Sequence, residues 1–474
     1  MRKLKIKYII YLSVLFSSII SCKTHAPQKT DKHPLPLMVK DTSLIKQIKT
    51  SETEKELTLI KNNSDTVSYY KKDFLRYDNH VYKPNIKTVL LHRSGFDLSY
   101  PIMELSNSET LKLSFDDLDG DLKKYQYTIV HCNSDWQPSD LNVADYISGF
   151  TSGFITDAKS SVNTLQSYTH YNLEFPQTDV KPKISGNYII KVYLENPDQL
   201  ILTHRFMIVD SKVTIDAKER EATVIEDKNY KQEIVFSINN KAYKILNPYN
   251  SLKVIIMQNE RWDNIINNLK PSLVRNDELI YEYEYGNVFQ GDNEYRFFDL
   301  KSLKYQTETI ERIQKRNSSY YVFLKQDERR SFKHYIFQND INGRFAIKND
   351  DGRDSETDAE YLNVYFSLPY QVPLVHGNVY IFGALSGWTF SDDCKMIYNY
   401  ANKTYERALY LKQGYYNYQY VFLENGTDIG DISFIEGTHS QTENDYTIFV
   451  YYKEPNDNYE RLIGVKFLNS VKLN

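Results

Sequence analysis

Cysteine is scarce in this chain, three residues in 474, so no disulfide framework can hold it and the fold must rest on buried apolar area. Histidine is scarce as well: ten residues are scattered without metal-ligand spacing. No HExxH, GxSxG, P-loop or GxGxxG pattern occurs, which removes the zinc-hydrolase, serine-hydrolase and nucleotide-binding readings. Beyond Cys22 no apolar run reaches the ~18 residues of a membrane-spanning helix. Positive charge is not in excess either, with 58 Lys plus Arg against 62 Asp plus Glu, so nothing suggests nucleic acid.

What the chain does have is tyrosine, 41 residues, and short alternating runs rich in aromatic and β-branched side chains. These patterns predict strands, and their spacing with Pro, Gly, Asn and Asp breaks predicts an all-β protein of tandem immunoglobulin-like β-sandwich domains. Residues 1–21 read as a lipoprotein signal peptide: Arg2, Lys3, Lys5 and Lys7 precede an apolar core, and Ser21-Cys22 ends it. Cys22 is then the lipid attachment site. Removing residues 1–21 takes away four basic side chains, so the net charge moves from −4 to −8. Residues 22–78, polar and poor in apolar side chains, read as a flexible tether. Three folded units are expected after it: 79–210, 211–353 and 354–474. Only Cys132 and Cys394 remain, in different units, so no disulfide is expected.

The most distinctive stretch runs from Phe115 to Trp136. Leu111 to Phe115 and Tyr125 to His131 read as a hairpin joined by an acidic tip, Asp116, Asp117, Asp119 and Asp121. An EF-hand would need a glycine at its sixth position and a glutamate at its twelfth between helices, and Gly120 stands elsewhere between strands. No metal is expected there. His131 and Cys132 are adjacent on a strand and point to opposite faces, so they cannot form a dyad. The loop after them carries Trp136, Tyr146, Phe150 and Phe154, which either cap the sandwich end or form an interface patch. Further strands are expected at Leu252–Gln258, Glu278–Glu284 and His334–Phe337. Glu282 and Glu284 share one face of theirs, which suits a solvated surface better than the facing carboxylates of a glycosidase.

Val379 to Trp388 and Gln413 to Phe422 resemble the starch- and glycogen-binding sandwich modules. Trp388 matches the sugar-stacking aromatic, but Glu424 to Asp428 lacks the second one, leaving Trp388 as a possible vestigial platform.

Several blocks in order resemble the plug protein of the type IX secretion system of Bacteroidota. They are Lys83 to Val89, Ser94 to Pro101, the acidic stretch with its His131-Cys132-Asn133-Ser134-Asp135-Trp136 end, Asn293 to Asp299, and Ile435 to Tyr452. The resemblance implies a non-enzymatic protein without cofactor or small-molecule substrate. It further implies a partner, the outer-membrane translocon barrel, whose periplasmic end the protein closes, and an outer-membrane location through lipid on Cys22. The alternative is an outer-membrane-anchored glycan-binding lipoprotein. Interface candidates are Asp116, Asp117, Asp119, Asp121, Trp136, Tyr146, Phe150 and Phe154.

Overall fold

The computed structural model describes residues 74–471; the signal sequence, Cys22 and the tether up to residue 73 lie outside the described residues. Strands take 46% of the described chain and helices 6%, an all-β fold built from sandwiches. Among the described residues no helix is long and apolar enough to cross a membrane.

The first sandwich pairs two sheets. One runs His80–Val81, Leu200–Val209, Gly186–Leu194, Tyr125–Cys132, Gly153–Phe154, with Ile102–Glu104 alongside Leu200–Val209. The other runs Ile86–Arg93, Leu111–Asp117, Thr169–Phe175, Asp157–Ser160. Alternation sets the core: Tyr125, Tyr127 and Ile129 from one sheet meet Leu111, Leu113 and Phe115 from the other, all essentially inaccessible. Phe115, Tyr125 and Tyr171 interlock with ring centroids 4.9–5.3 Å apart. Each such ring contributes about 1.5–3 kcal/mol by burial.

The expected hairpin is therefore an arch. Leu111–Asp117 pairs with Ile86–Arg93 and Thr169–Phe175, whereas Tyr125–Cys132 pairs with Gly186–Leu194 and Gly153–Phe154. The acidic turn carries the chain from one sheet to the facing one. Local sequence specifies a turn but not whether its strands bond to each other.

The boundary expected at residue 353 also needs correction. Leu252–Gln258 pairs along its whole length with Asp445–Tyr452, which in turn pairs with Arg461–Asn469. Facing them is a sheet of Thr214–Glu221, Lys231–Asn239, Glu278–Tyr281, Leu273–Arg275 and Val288–Gln290, and the two share a core of Ile234, Ile238, Val254, Ile256, Ile448 and Val450. The second sandwich thus takes its last strands from the C-terminus. The third, with its core at Phe298, Val322, Val364, Ile381 and Tyr420, is inserted between Val288–Gln290 and Asp445–Tyr452. No local pattern reveals a pairing between strands so distant in sequence.

Sheets buried on both faces explain the unbroken apolar runs. In Asp445–Tyr452, Tyr446, Ile448 and Val450 enter the second core, while Phe449 and Tyr451 face the first sandwich and pack on Ile189, Met207 and Val209.

Candidate functional site

Asp116 and Asp117 close the Leu111–Asp117 strand, and both are fully buried. This removes them from the expected displayed tip. Asp116 Oδ2 accepts from Lys412 Nζ at 2.7 Å and from the Tyr361 hydroxyl at 2.7 Å, and Oδ1 lies 2.6 Å from His170 Nδ1. Lys412 also donates to the Glu356 carbonyl at 2.7 Å and stands 4.2 Å over the Tyr168 ring. Burial lowers its pKa and Asp116 opposes that fall. The Glu356 carboxylate receives Lys112 at 2.5 Å and Lys159 at 2.8 Å. Burial would raise its pKa, yet these ammonium groups hold it down at about 2. First and third sandwiches are therefore bonded through charges that neither sequence segment announces. His170 Nε2 sits 3.2 Å from Asn172 Oδ1 rather than beside a hydroxyl or thiol, so the His170–Asp116 contact is not poised for nucleophilic catalysis.

Asp119 and Asp121 are exposed, as the turn reading expects. With Asp117 their carboxylates converge to within 4.8 Å, and the Lys123 ammonium stands among them, 2.7 Å from Asp117 and 3.2 Å from Asp121, with a short contact to Asp119. Asn85 Nδ2 at 2.6 Å and the Tyr125 hydroxyl at 2.8 Å complete Asp117. Burial pushes the Asp117 carboxyl up, but these donors prevail and hold it below its usual range. Lys123→Met is expected to cost about 1–2 kcal/mol. The loss should shrink in acid as the Asp117 carboxylate protonates, which urea titrations at two pH values will read.

His131 and Cys132 diverge as alternation requires. His131 Nδ1 lies 2.8 Å from Ser139 Oγ, and burial draws its pKa down to about 4. Burial pushes the Cys132 thiol up to about 12, so at neutral pH the imidazole is uncharged and the thiol stays protonated. Trp136 is not displayed. Its ring is buried 4.4 Å under the Arg205 guanidinium and 5.2 Å from the Trp262 ring, where the first sandwich meets the second. Tyr146 is buried too, against Tyr188 and His131. These two belong to packing. Phe150 and Phe154 remain 68% and 58% exposed and stay available as interface residues.

A cleft of about 760 Å3 lies where the first sandwich faces the other two, lined by Lys83, Lys87, Tyr100, Trp262, Arg344 and Trp388 among others. Trp388 packs edge-on against Phe382 and Tyr295 with centroids 5.6 and 6.3 Å away. Burial draws His204 down to about 4 and pushes Cys394 up to about 11, so at neutral pH these cleft groups are an uncharged imidazole and a protonated thiol. Glu282, past the end of its strand, is paired with Arg220 at 2.7 Å.

The two chain crossings between second and third sandwiches lie side by side. Glu436, fully buried, accepts from Arg296 at 2.9 and 3.0 Å, Arg330 at 2.7 Å and the Tyr420 N–H at 2.9 Å. Asn293 Nδ2 donates to the Glu436 carbonyl at 2.7 Å. A Cβ on Gly291 would meet the His439 carbonyl at 2.0 Å, so only glycine lets the crossings approach this closely.

Three sandwiches, interlocked by shared strands and joined by buried ion pairs, define an all-β multidomain body. Residues 86–210 match the first domain of the type 9 secretion system plug protein, and the chain belongs to this family, which places it in type IX secretion. A hypothetical protein of known structure from Parabacteroides merdae ATCC 43184 is 37% identical, with 83% of this chain and 100% of that one covered at a TM-score of 0.81. The C-terminal domain of the antigen I/II-family protein AspA from Streptococcus pyogenes is 8% identical over 80% of this chain and 99% of that one, at a TM-score of 0.14. No curated protein matches the chain.

Proposed function

We propose that this protein is a non-enzymatic plug that closes the periplasmic end of the outer-membrane type IX translocon barrel when no substrate is in transit. In this reading it is held at the outer membrane by lipid on Cys22, which keeps its local concentration high after release. The observation that carries the reading, given the family, is that buried ion pairs join the sandwiches to one another. A stopper must keep its shape under load, and here the junctions between sandwiches are held by Asp116–Lys412 and by Glu436 with Arg296 and Arg330. Flexible linkers between beads would suit capture rather than closure.

Deleting the gene in a secretion-competent strain is expected to admit a large antibiotic that the outer membrane normally excludes. Deleting the barrel as well should restore exclusion. Unchanged permeability in the single deletion, with no barrel protein co-purifying from detergent extracts, would overturn the reading.

A further inference from the structure

Residues 325–344, between the Ser319–Leu324 and Phe345–Ile347 strands, contain no strand or helix, a length at which irregular loops are uncommon and usually functional. The sequence reads His334–Phe337 as a strand; the structure leaves it unpaired. The base of the loop is pinned. Arg330 and Ser331 N–H groups donate to the Ile435 carbonyl at 2.9 and 3.0 Å, the Tyr335 hydroxyl bonds Glu294, and Ile341 N–H donates to Asn417 at 2.6 Å. Its tip is bare: Phe332, Ile336 and Phe337 are 87%, 77% and 57% exposed. Three large apolar side chains this close together and held out in water are unfavourable unless something covers them.

Cationic side chains adjoin the tip in sequence, and the Arg329 guanidinium lies against it. The Arg329 guanidinium lies 5.2, 5.0 and 5.7 Å from the Phe332, Tyr370 and Phe434 rings. Arg329, Lys325 and His334 form no ion pair among the described residues, and Lys333 pairs only with Glu328, at 2.5 Å.

We propose that this tip inserts into the interfacial region of an anionic phospholipid bilayer. Size and chemistry separate this occupant from a protein. Three such side chains expose on the order of 400 Å2, about half of the ~800 Å2 that each partner gives to a stable protein interface. The loop also offers no free strand edge for backbone pairing. Apolar tips adjoined by Arg, Lys and His suit acyl chains beneath anionic headgroups. The proposal goes beyond the plug reading and does not depend on it.

The test uses the full mature chain with Cys22→Ser, so that no acyl chain contributes, floated with vesicles of phosphatidylethanolamine and phosphatidylglycerol. The parent is expected to float, and Phe332→Ser/Ile336→Ser/Phe337→Ser to lose at least about tenfold in binding with its melting temperature unchanged. Should the triple variant fold poorly, the single change Phe337→Trp keeps the test open, because brominated lipid should quench its fluorescence. A parent that ignores vesicles, a triple variant that floats equally well, or an unquenched tryptophan overturns the proposal. So does a parent that ignores vesicles but loses the translocon barrel on triple substitution, which would assign the tip to a protein.

Discussion

Asp116→Ala is expected to lower the stability of the folded body by about 3–5 kcal/mol, because it leaves the buried Lys412 ammonium without its counter-charge. Lys412 is 1% exposed and keeps only the Glu356 carbonyl and the face of Tyr168 as partners. The variant also strips the acceptor from the Tyr361 hydroxyl, leaving it the Thr88 hydroxyl at 2.6 Å. Asp116→Ala/Lys412→Met should recover most of the loss, since replacing both charges removes the desolvation cost along with the attraction. Asp119→Ala, three residues away but exposed, should cost under about 1 kcal/mol. Urea titrations of the four proteins decide the matter. If Asp116→Ala costs no more than Asp119→Ala, the ion pair does not hold the first and third sandwiches together. Limited proteolysis gives a second readout, because a body that has lost this junction should release the first sandwich as a protected fragment before global unfolding.

Strands with alternating or continuous apolar patterns were legible in the sequence, and for a physical reason. Leu252–Gln258 is observed with the expected limits, and Tyr125–Cys132 extends the expected strand by one residue. Period-two burial leaves its mark in composition wherever one face meets a core. Pairing leaves no such mark. The arch at Asp116 and the insertion of the third sandwich both depend on which distant strand supplies the hydrogen bonds. Sequence spacing therefore suggested a hairpin and a boundary at 353, and both needed revision. Site residues divide the same way. The acidic turn was visible as a charge cluster, but Asp116 and Asp117 read as solvated because Lys412 lies 296 positions from one and Tyr125 had no stated partner. Trp136 read as a loop aromatic because its cover, Trp262 and Arg205, comes from elsewhere in the chain. The Glu436 cluster is intermediate. Arg296 and Glu436 both fall in blocks that carry the family resemblance, yet nothing in either block shows that they meet.

Glu436→Gln is expected to cost about 3 kcal/mol near neutral pH, and its pH dependence separates this junction from general destabilisation. Burial acts to raise the Glu436 pKa, but Arg296 and Arg330 overcome it and hold the carboxyl at about 2, below its ordinary value of 4.5. A group whose folded pKa is lowered stabilises fully above the unfolded value, and that contribution drains away as pH falls from about 4.5 toward 2. Converted directly, this shift is about 3 kcal/mol, in line with the substitution. Two other buried carboxyls slope the other way. Burial pushes Asp292 and Asp340 up to about 7, so their ionisation is a cost that grows as pH rises from about 4 to 7 and is complete above it. Stability of the native chain should therefore climb as pH drops from about 7 toward 5, then fall below about 4.5. Glu436→Gln should flatten part of the acid limb while leaving the neutral limb intact, and Asp340→Asn should do the reverse. Melting temperatures across this range are the measurement. A native chain with no neutral limb would mean that these two carboxyls are not held protonated. A Glu436→Gln variant that lost stability equally at pH 3 and pH 7 would show that its charge is not what joins the two crossings.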